Sequence, residues 1–110
     1  GKRKLRQADL AIQRQQAKRQ LAEEELENAI HEAYINLQEA YTRLRTQQKS
    51  VQLAHENFDI VRQRYMNGLA LITDMLDASN TQLDMELQLA NYQVGILYQY
   101  FLLKKQIGTL

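Results

Sequence analysis

From Lys2 to Asn67 the chain contains neither proline nor glycine. Proline removes a backbone donor and glycine loosens the backbone, so nothing in this stretch stops a helix. Its residues are mainly Ala, Leu, Gln, Glu, Lys and Arg, which are good helix formers, and β-branched residues are sparse. The first stop is Asn67-Gly68, because glycine takes the left-handed conformation of a C-cap without a Cβ clash. Apolar residues then resume at helical spacing, at Leu69, Ile72, Met75 and Leu76. The chain therefore turns back on itself. The pattern predicts a long helix over 3–66, a tip turn over 67–71 and a returning helix over 72–107, all within one helical segment, 1–110. The fold class is an all-α, antiparallel coiled-coil hairpin with unequal arms.

Leu26, Ile30, Ala33, Leu37, Ala40, Leu44, Gln47, Val51, Ala54, Phe58, Val61 and Tyr65 follow one another at alternating steps of four and three. This is a heptad seam with a single polar member, Gln47. Large residues (Ile30, Leu37, Leu44, Val51, Phe58, Tyr65) alternate with small ones (Ala33, Ala40, Ala54), which lets a second helix approach closely. The returning helix shows the same rule in Leu76, Asn80, Leu83, Leu87, Ala90, Val94, Leu97 and Phe101. The expectation is that Leu37, Leu44, Val51 and Phe58 bury against Leu76, Leu83, Leu87, Val94 and Leu97. A further apolar row, Leu89, Ile96, Tyr100, Leu103 and Ile107, with Tyr92 and Tyr98 nearby, is too wide for one partner, so this end should meet at least two helices. Gly95 costs roughly 1 kcal/mol relative to Ala inside a helix; a close neighbouring backbone would explain it, as would simple tolerance.

At 1.5 Å per residue the two helices measure about 95 Å and about 55 Å. Folded about Gly68, Ile107 falls opposite Ile30, and the regular seam begins close by, at Leu26. Residues 3–25 should then project beyond the hairpin. Their thinner apolar set (Leu5, Ala8, Ile12, Ala17, Leu21) reads as out of phase with the seam. Such a hairpin has no closed core and implies assembly with further helices.

Net charge is +1, but its signs are separated along the chain: residues 1–20 hold seven Lys or Arg and one Asp, and residues 21–40 hold six Glu and no Lys or Arg. The blocks suggest different neighbours along the helix axis. There is no cysteine, hence no disulfide and no thiolate chemistry. The most apolar stretch, Leu87 to Leu103, is broken by Gln88, Asn91, Gln93 and Gln99 and does not read as a membrane span. The opening Gly-Lys-Arg-Lys lacks a signal-peptide core and reads as an internal start, so a fragment is expected.

His31-Glu32 and His55-Glu56 lack the second histidine of a zinc-protease helix, since Ile35 and Asp59 stand in its place. No nucleophile–base pair and no phosphate loop is present. The chain reads as neither an enzyme nor a metal or cofactor protein. Lys2, Arg3, Lys4 and Arg6 ahead of a heptad helix suggest a basic zipper, but the seam starts too late and reverses at Gly68, so no nucleic-acid partner is expected. Asp74 and Asp77 lie in the first turns of the returning helix, where carboxylates favour the dipole, and helix-start stabilisation is their plainest role. Tyr65 extends the large seam row, so packing is its plainest role.

The segment Tyr65-x-x-Gly68-(x)5-Asp74-x-Leu76-Asp77-Ala78 resembles the periplasmic tip of the TolC family of outer-membrane efflux channels. Ala29, Ala33, Tyr34, Leu37 and Ala40 resemble that family's V-x-x-A-Y-x-x-L signature, with Ile30 in the valine place. Gly1-Lys-Arg-Lys, with Ala8 a few residues on, is similar to the passage from strand to long helix. Leu102-Leu103-Lys-Lys-Gln-Ile107-Gly108-Thr-Leu resembles the L-x-x-x-x-G-x-L close of the returning helix. The resemblance implies the descending and returning helices of one half of such a channel, the C-terminal half, as part of a homotrimeric α-helical barrel for efflux or type I secretion. It implies an outer membrane in a Gram-negative bacterium, with this segment in the periplasm and membrane strands outside this chain. It also implies docking through Asn67, Gly68, Leu69 and Ala70 on a periplasmic adaptor protein and an inner-membrane transporter. Tyr65, Asp74 and Asp77 match aperture positions. Ala70 stands where some members carry a basic residue of the closing network, so a latch here would be built differently. The alternative is a generic structural coiled-coil hairpin, such as an adaptor arm or scaffold; unequal arms and the tip segment favour the duct.

Overall fold

A computed structural model describes residues 1–108. Two helices make up the structure: α1 spans Lys2–Met66, 65 residues, and α2 spans Ile72–Gly108, 37 residues. No strand occurs among the described residues. The molecule measures 100 × 17 × 16 Å. A 65-residue helix is itself about 98 Å long, so α1 alone sets the long axis. The architecture is the all-α hairpin with unequal arms that the single interruption at Gly68 predicts. Thr109 and Leu110, the last two letters of the closing pattern, lie outside the described residues.

The seam on α1 follows its heptad. Ala33, Leu37, Ala40, Gln47 and Ala54 are buried, and Leu26, Ile30, Leu44, Val51, Phe58 and Val61 are half-buried. The alanines are covered because α2 lies close over them, while the large residues straddle its flanks. Gln47 is buried because it is satisfied: its Nε2 donates to the Met85 carbonyl oxygen at 2.9 Å and lies 3.6 Å from the Met85 sulfur. An amide with a partner across the seam loses little by leaving water.

On α2 the expected seam is wrong. Leu76, Leu83, Leu87, Val94, Leu97 and Phe101 are all exposed, Val94 at 64%. The residues that face α1 are Met75, Ala78, Gln82, Met85, Leu89, Tyr92, Ile96, Gln99 and Leu103, buried or half-buried at steps of three and four. Both rows obey the same spacing, and spacing alone cannot say which one turns inward. The richer row points away, so the hairpin spends its best apolar surface outside itself. Gly95 is only half-buried, and a Cβ built there would meet no atom within 4 Å. The close backbone expected there is not supplied by α1. No large side chain among the described residues is fully buried, so the pair has no closed core.

Ile107 and Ile30 line one groove with Glu27, His31, Tyr34 and Leu103, which places the last turn of α2 level with Glu27 to Ile30. Beyond that level every residue from 1 to 25 is exposed. The overhang is out of phase only in part: Ala8, Ala17 and Leu21 fall off both seam rows, while Leu5 and Ile12 keep to one of them. Leu5, Ile12 and Arg19 extend the row of Leu26, Ala33 and Ala40 at sevenfold spacing. The companion row of Ile30, Leu37 and Leu44 extends as Asp9, Gln16 and Glu23, and that polarity makes the overhang look irregular.

Candidate functional site at the hairpin tip

The chain reverses through a helix-ending motif made by Gly68. Its φ of 75° lies in the left-handed region, and Asn67 before it sits at φ −92°, ψ 6°. The Gly68 amide donates to the Tyr65 carbonyl at 3.0 Å and the Leu69 amide to the Arg64 carbonyl at 2.7 Å. These two bonds form a Schellman motif, which satisfies carbonyls that the end of α1 would otherwise leave open. Arg64, in the last turn, places positive charge at the negative end of the helix dipole.

The start of α2 is capped from inside. The Leu71 amide donates to Asp74 Oδ2 at 3.0 Å, and the amides of Asp74 and Met75 return to the Leu71 carbonyl at 3.1 Å and 3.3 Å. A carboxylate reaching back to the N-cap amide is one half of a capping box, and its charge favours the positive helix end. Asp74 therefore has a local structural role. Asp77, one turn on, is exposed, and its side chain has no hydrogen bond or ion pair among the described residues. The two aspartates differ in a way that the sequence pattern conceals.

Tyr65 is 39% exposed, more open than Phe58 and Val61 before it in the same seam. It makes no contact with Asp74 or Asp77 through hydrogen bonds. Asn67, Gly68 and Leu69 are exposed at the turn, and Ala70 is half-buried. Apolar side chains beyond the four residues expected to dock are exposed around the turn as well. Met66, Leu71, Ile72 and Leu76 join Leu69 in an exposed apolar group, with Met66 at 76%. Their signal was available, because turns are normally polar and this one is not.

Away from the tip, His55 Nε2 lies 2.6 Å from Glu86 Oε1 and ties the two helices at mid-length. Among the described residues no group of three or more His, Cys, Asp or Glu could hold a metal ion. No described helix is long and apolar enough to cross a membrane.

The family model described as outer membrane efflux protein matches residues 2–109. No curated protein and no solved structure gives a significant match. The match covers both helices and the tip between them, and the chain belongs to the outer membrane efflux protein family.

Proposed function

We propose that this hairpin is a periplasmic wall segment of a trimeric outer-membrane exit duct, with its tip forming the aperture and the docking end. The observation that carries this reading is the outward apolar row of α2. Leu76, Leu83, Leu87, Val94, Leu97 and Phe101 run along the whole helix and are left uncovered by α1. A soluble hairpin acting alone gains nothing from so long a stripe, whereas a helix in a barrel wall has a neighbour on each side. On α1, Tyr34, Ile35, Tyr41, Leu53 and Ile60 are exposed as well, so both helices offer surface for lateral packing.

In this reading the tips of the trimer converge on the narrow end. Tyr65, Asp74 and Asp77 line the aperture, and the turn at Asn67, Gly68, Leu69 and Ala70, with its apolar neighbours, meets the periplasmic adaptor and the inner-membrane transporter. The chain acts as a conduit and not as an enzyme.

These 110 residues contain no cysteine, so a thiol introduced here is the only one in the segment. Leu87→Cys should react rapidly with a maleimide in the 110-residue chain and slowly in the assembled full-length channel, where a neighbouring helix covers it. Equal rates in the two would remove the row from the wall interface and the reading with it.

A further inference from the structure

His55 on α1 meets Glu86 on α2 across the seam, Nε2 to Oε1 at 2.6 Å, with both side chains a little under half exposed. An ionised carboxylate only accepts hydrogen bonds, so Nε2 carries the hydrogen. A second proton at Nδ1 then makes the ring a cation without breaking the contact. Glu86 has no cation near it on its own helix: from Ile72 to Leu103, α2 carries Asp74, Asp77, Asp84 and Glu86 and neither Lys nor Arg. Glu86 is the charged group that faces His55 from α2. One turn from His55 on α1 stand Val51, Gln52, Phe58 and Asp59, of which Asp59 alone is charged. The adjacent Glu56 accepts a bond from Gln52 at 3.2 Å. The ring therefore sits in acidic surroundings. The pair also stands at a boundary in the seam. Away from the tip, Ala33, Leu37, Ala40, Gln47 and Ala54 are buried. From His55 through the turn to Glu86, Ala78 is the only buried residue, with Phe58, Val61, Met75 and Gln82 half-buried.

We propose that His55 and Glu86 form a proton-operated clasp that sets how firmly the tip portion of the hairpin stays closed. With a neutral ring, only the carboxylate partner of the bond is charged. With an imidazolium both partners are, and the attraction of opposite charges is added to the hydrogen bond. Unfolding separates the two side chains, so this added attraction exists only in the hairpin. It is present on the acid side of the range in which imidazoles titrate, between about pH 5 and 8, and is lost as pH rises through that range. It is lost again at about pH 4, where carboxylates take up protons. The tip is therefore held most firmly at mildly acid pH and loosens toward alkaline pH. The seam on the tip side is thinly packed, so a single tie there counts for more than one among the buried alanines. The clasp belongs to the hairpin itself and does not rest on the duct reading.

A double-mutant cycle read by urea unfolding, at about pH 6 and about pH 8, tests the clasp. The parent midpoint should fall by roughly 0.1–0.5 M urea between the two, the scale of an exposed ion pair against a typical denaturant slope. His55→Gln and Glu86→Gln should each remove most of that fall, and the double variant should remove no more than either alone. His31 is present in all four chains and cancels. His55→Lys, cationic at both pH values, should keep the acid-side midpoint at both. Spin labels on cysteines at the exposed positions Gln63 and Thr81 read the tip directly. Their distance distribution should be narrower at acid pH in the parent and equally broad at both pH values in His55→Gln. A parent midpoint that moves no more than that of His55→Gln overturns the proposal. So does a His55→Lys midpoint that follows the parent's, since another group is then titrating. Equal label widths in the parent at the two pH values overturn the hold on the tip.

Discussion

The Gln47 side chain, buried in the seam, crosses it and donates its amide to the Met85 carbonyl oxygen at 2.9 Å. Its neighbours in the same row, Ala40 and Ala54, are small and interchangeable along the helix. The amide is the feature that tells one heptad layer from the next, and a lone polar seam residue commonly fixes register in this way.

Gln47→Ala should destabilise the hairpin by about 0.5–1.5 kcal/mol, the usual net value of one hydrogen bond. Gln47→Leu should be nearly neutral, since it replaces the amide with an apolar group of similar size. Its effect should appear in register. Spin labels on cysteines at the exposed positions Lys49 and Gln88 should give one narrow distance distribution in the parent and a broadened one with Gln47→Leu. A distribution that stays narrow would show that the turn alone sets register.

Gly68→Ala tests the turn. At φ 75° an L-residue is strained by about 1–2 kcal/mol, and nothing lies within 4 Å to add a clash. Urea unfolding should show a loss of that size. Gly68→Asn should lose less, because asparagine enters the left-handed region more readily. Equal losses for the two would point to something other than backbone conformation.

The path of α1 was legible because one property settled it: only the face of alanines alternating with large residues keeps an unbroken heptad from Leu26 to Tyr65. The turn was legible because Gly68 is the only glycine between Lys2 and Val94 and follows an asparagine. The face of α2 was not. Leu83 and Leu87 are more apolar than Gln82 and Met85, yet the latter pair faces α1. Hydrophobicity reports how much a residue gains from burial but not which neighbour buries it. When a helix serves several neighbours, its strongest row need not face the one in its own hairpin. The tip was half legible. Asp74 and Asp77 read alike as acidic helix-start residues, and only the bond from the Leu71 amide to Asp74 separates them.

Gly95 distinguishes the hairpin from its assembly. Within the hairpin a Cβ at Gly95 meets open space, so Gly95→Ala should stabilise the isolated chain by about 0.5–1 kcal/mol through helix propensity. In an assembled channel a neighbouring backbone at that level would reverse the sign. Thermal melting of the chain and of the full-length trimer, each with and without the substitution, separates the two. Stabilisation in both would mean that no helix packs closely against this glycine.

The aspartates give the sharpest test of the aperture, provided that charge is separated from capping. Asp74→Ala removes both, so its effect on conduction could arise from a frayed α2. Asp74→Asn keeps a side-chain oxygen able to accept the Leu71 amide and removes only the charge. Asp77 has no such bond, and Asp77→Asn removes charge alone. The double asparagine variant should therefore melt within about 1 kcal/mol of the parent, the scale of a lost charge–dipole interaction. In a trimer each aspartate recurs around the opening, and carboxylates gathered at a constriction attract cations and repel anions. The full-length double variant in a planar bilayer should thus show weaker cation preference and weaker block by multivalent cations. Tyr65→Phe, which removes a hydroxyl and no charge, should raise leak conductance and leave ion preference alone. Unchanged selectivity in the double asparagine variant would reduce Asp74 to a capping residue and Asp77 to a solvated one, and would place the aperture elsewhere.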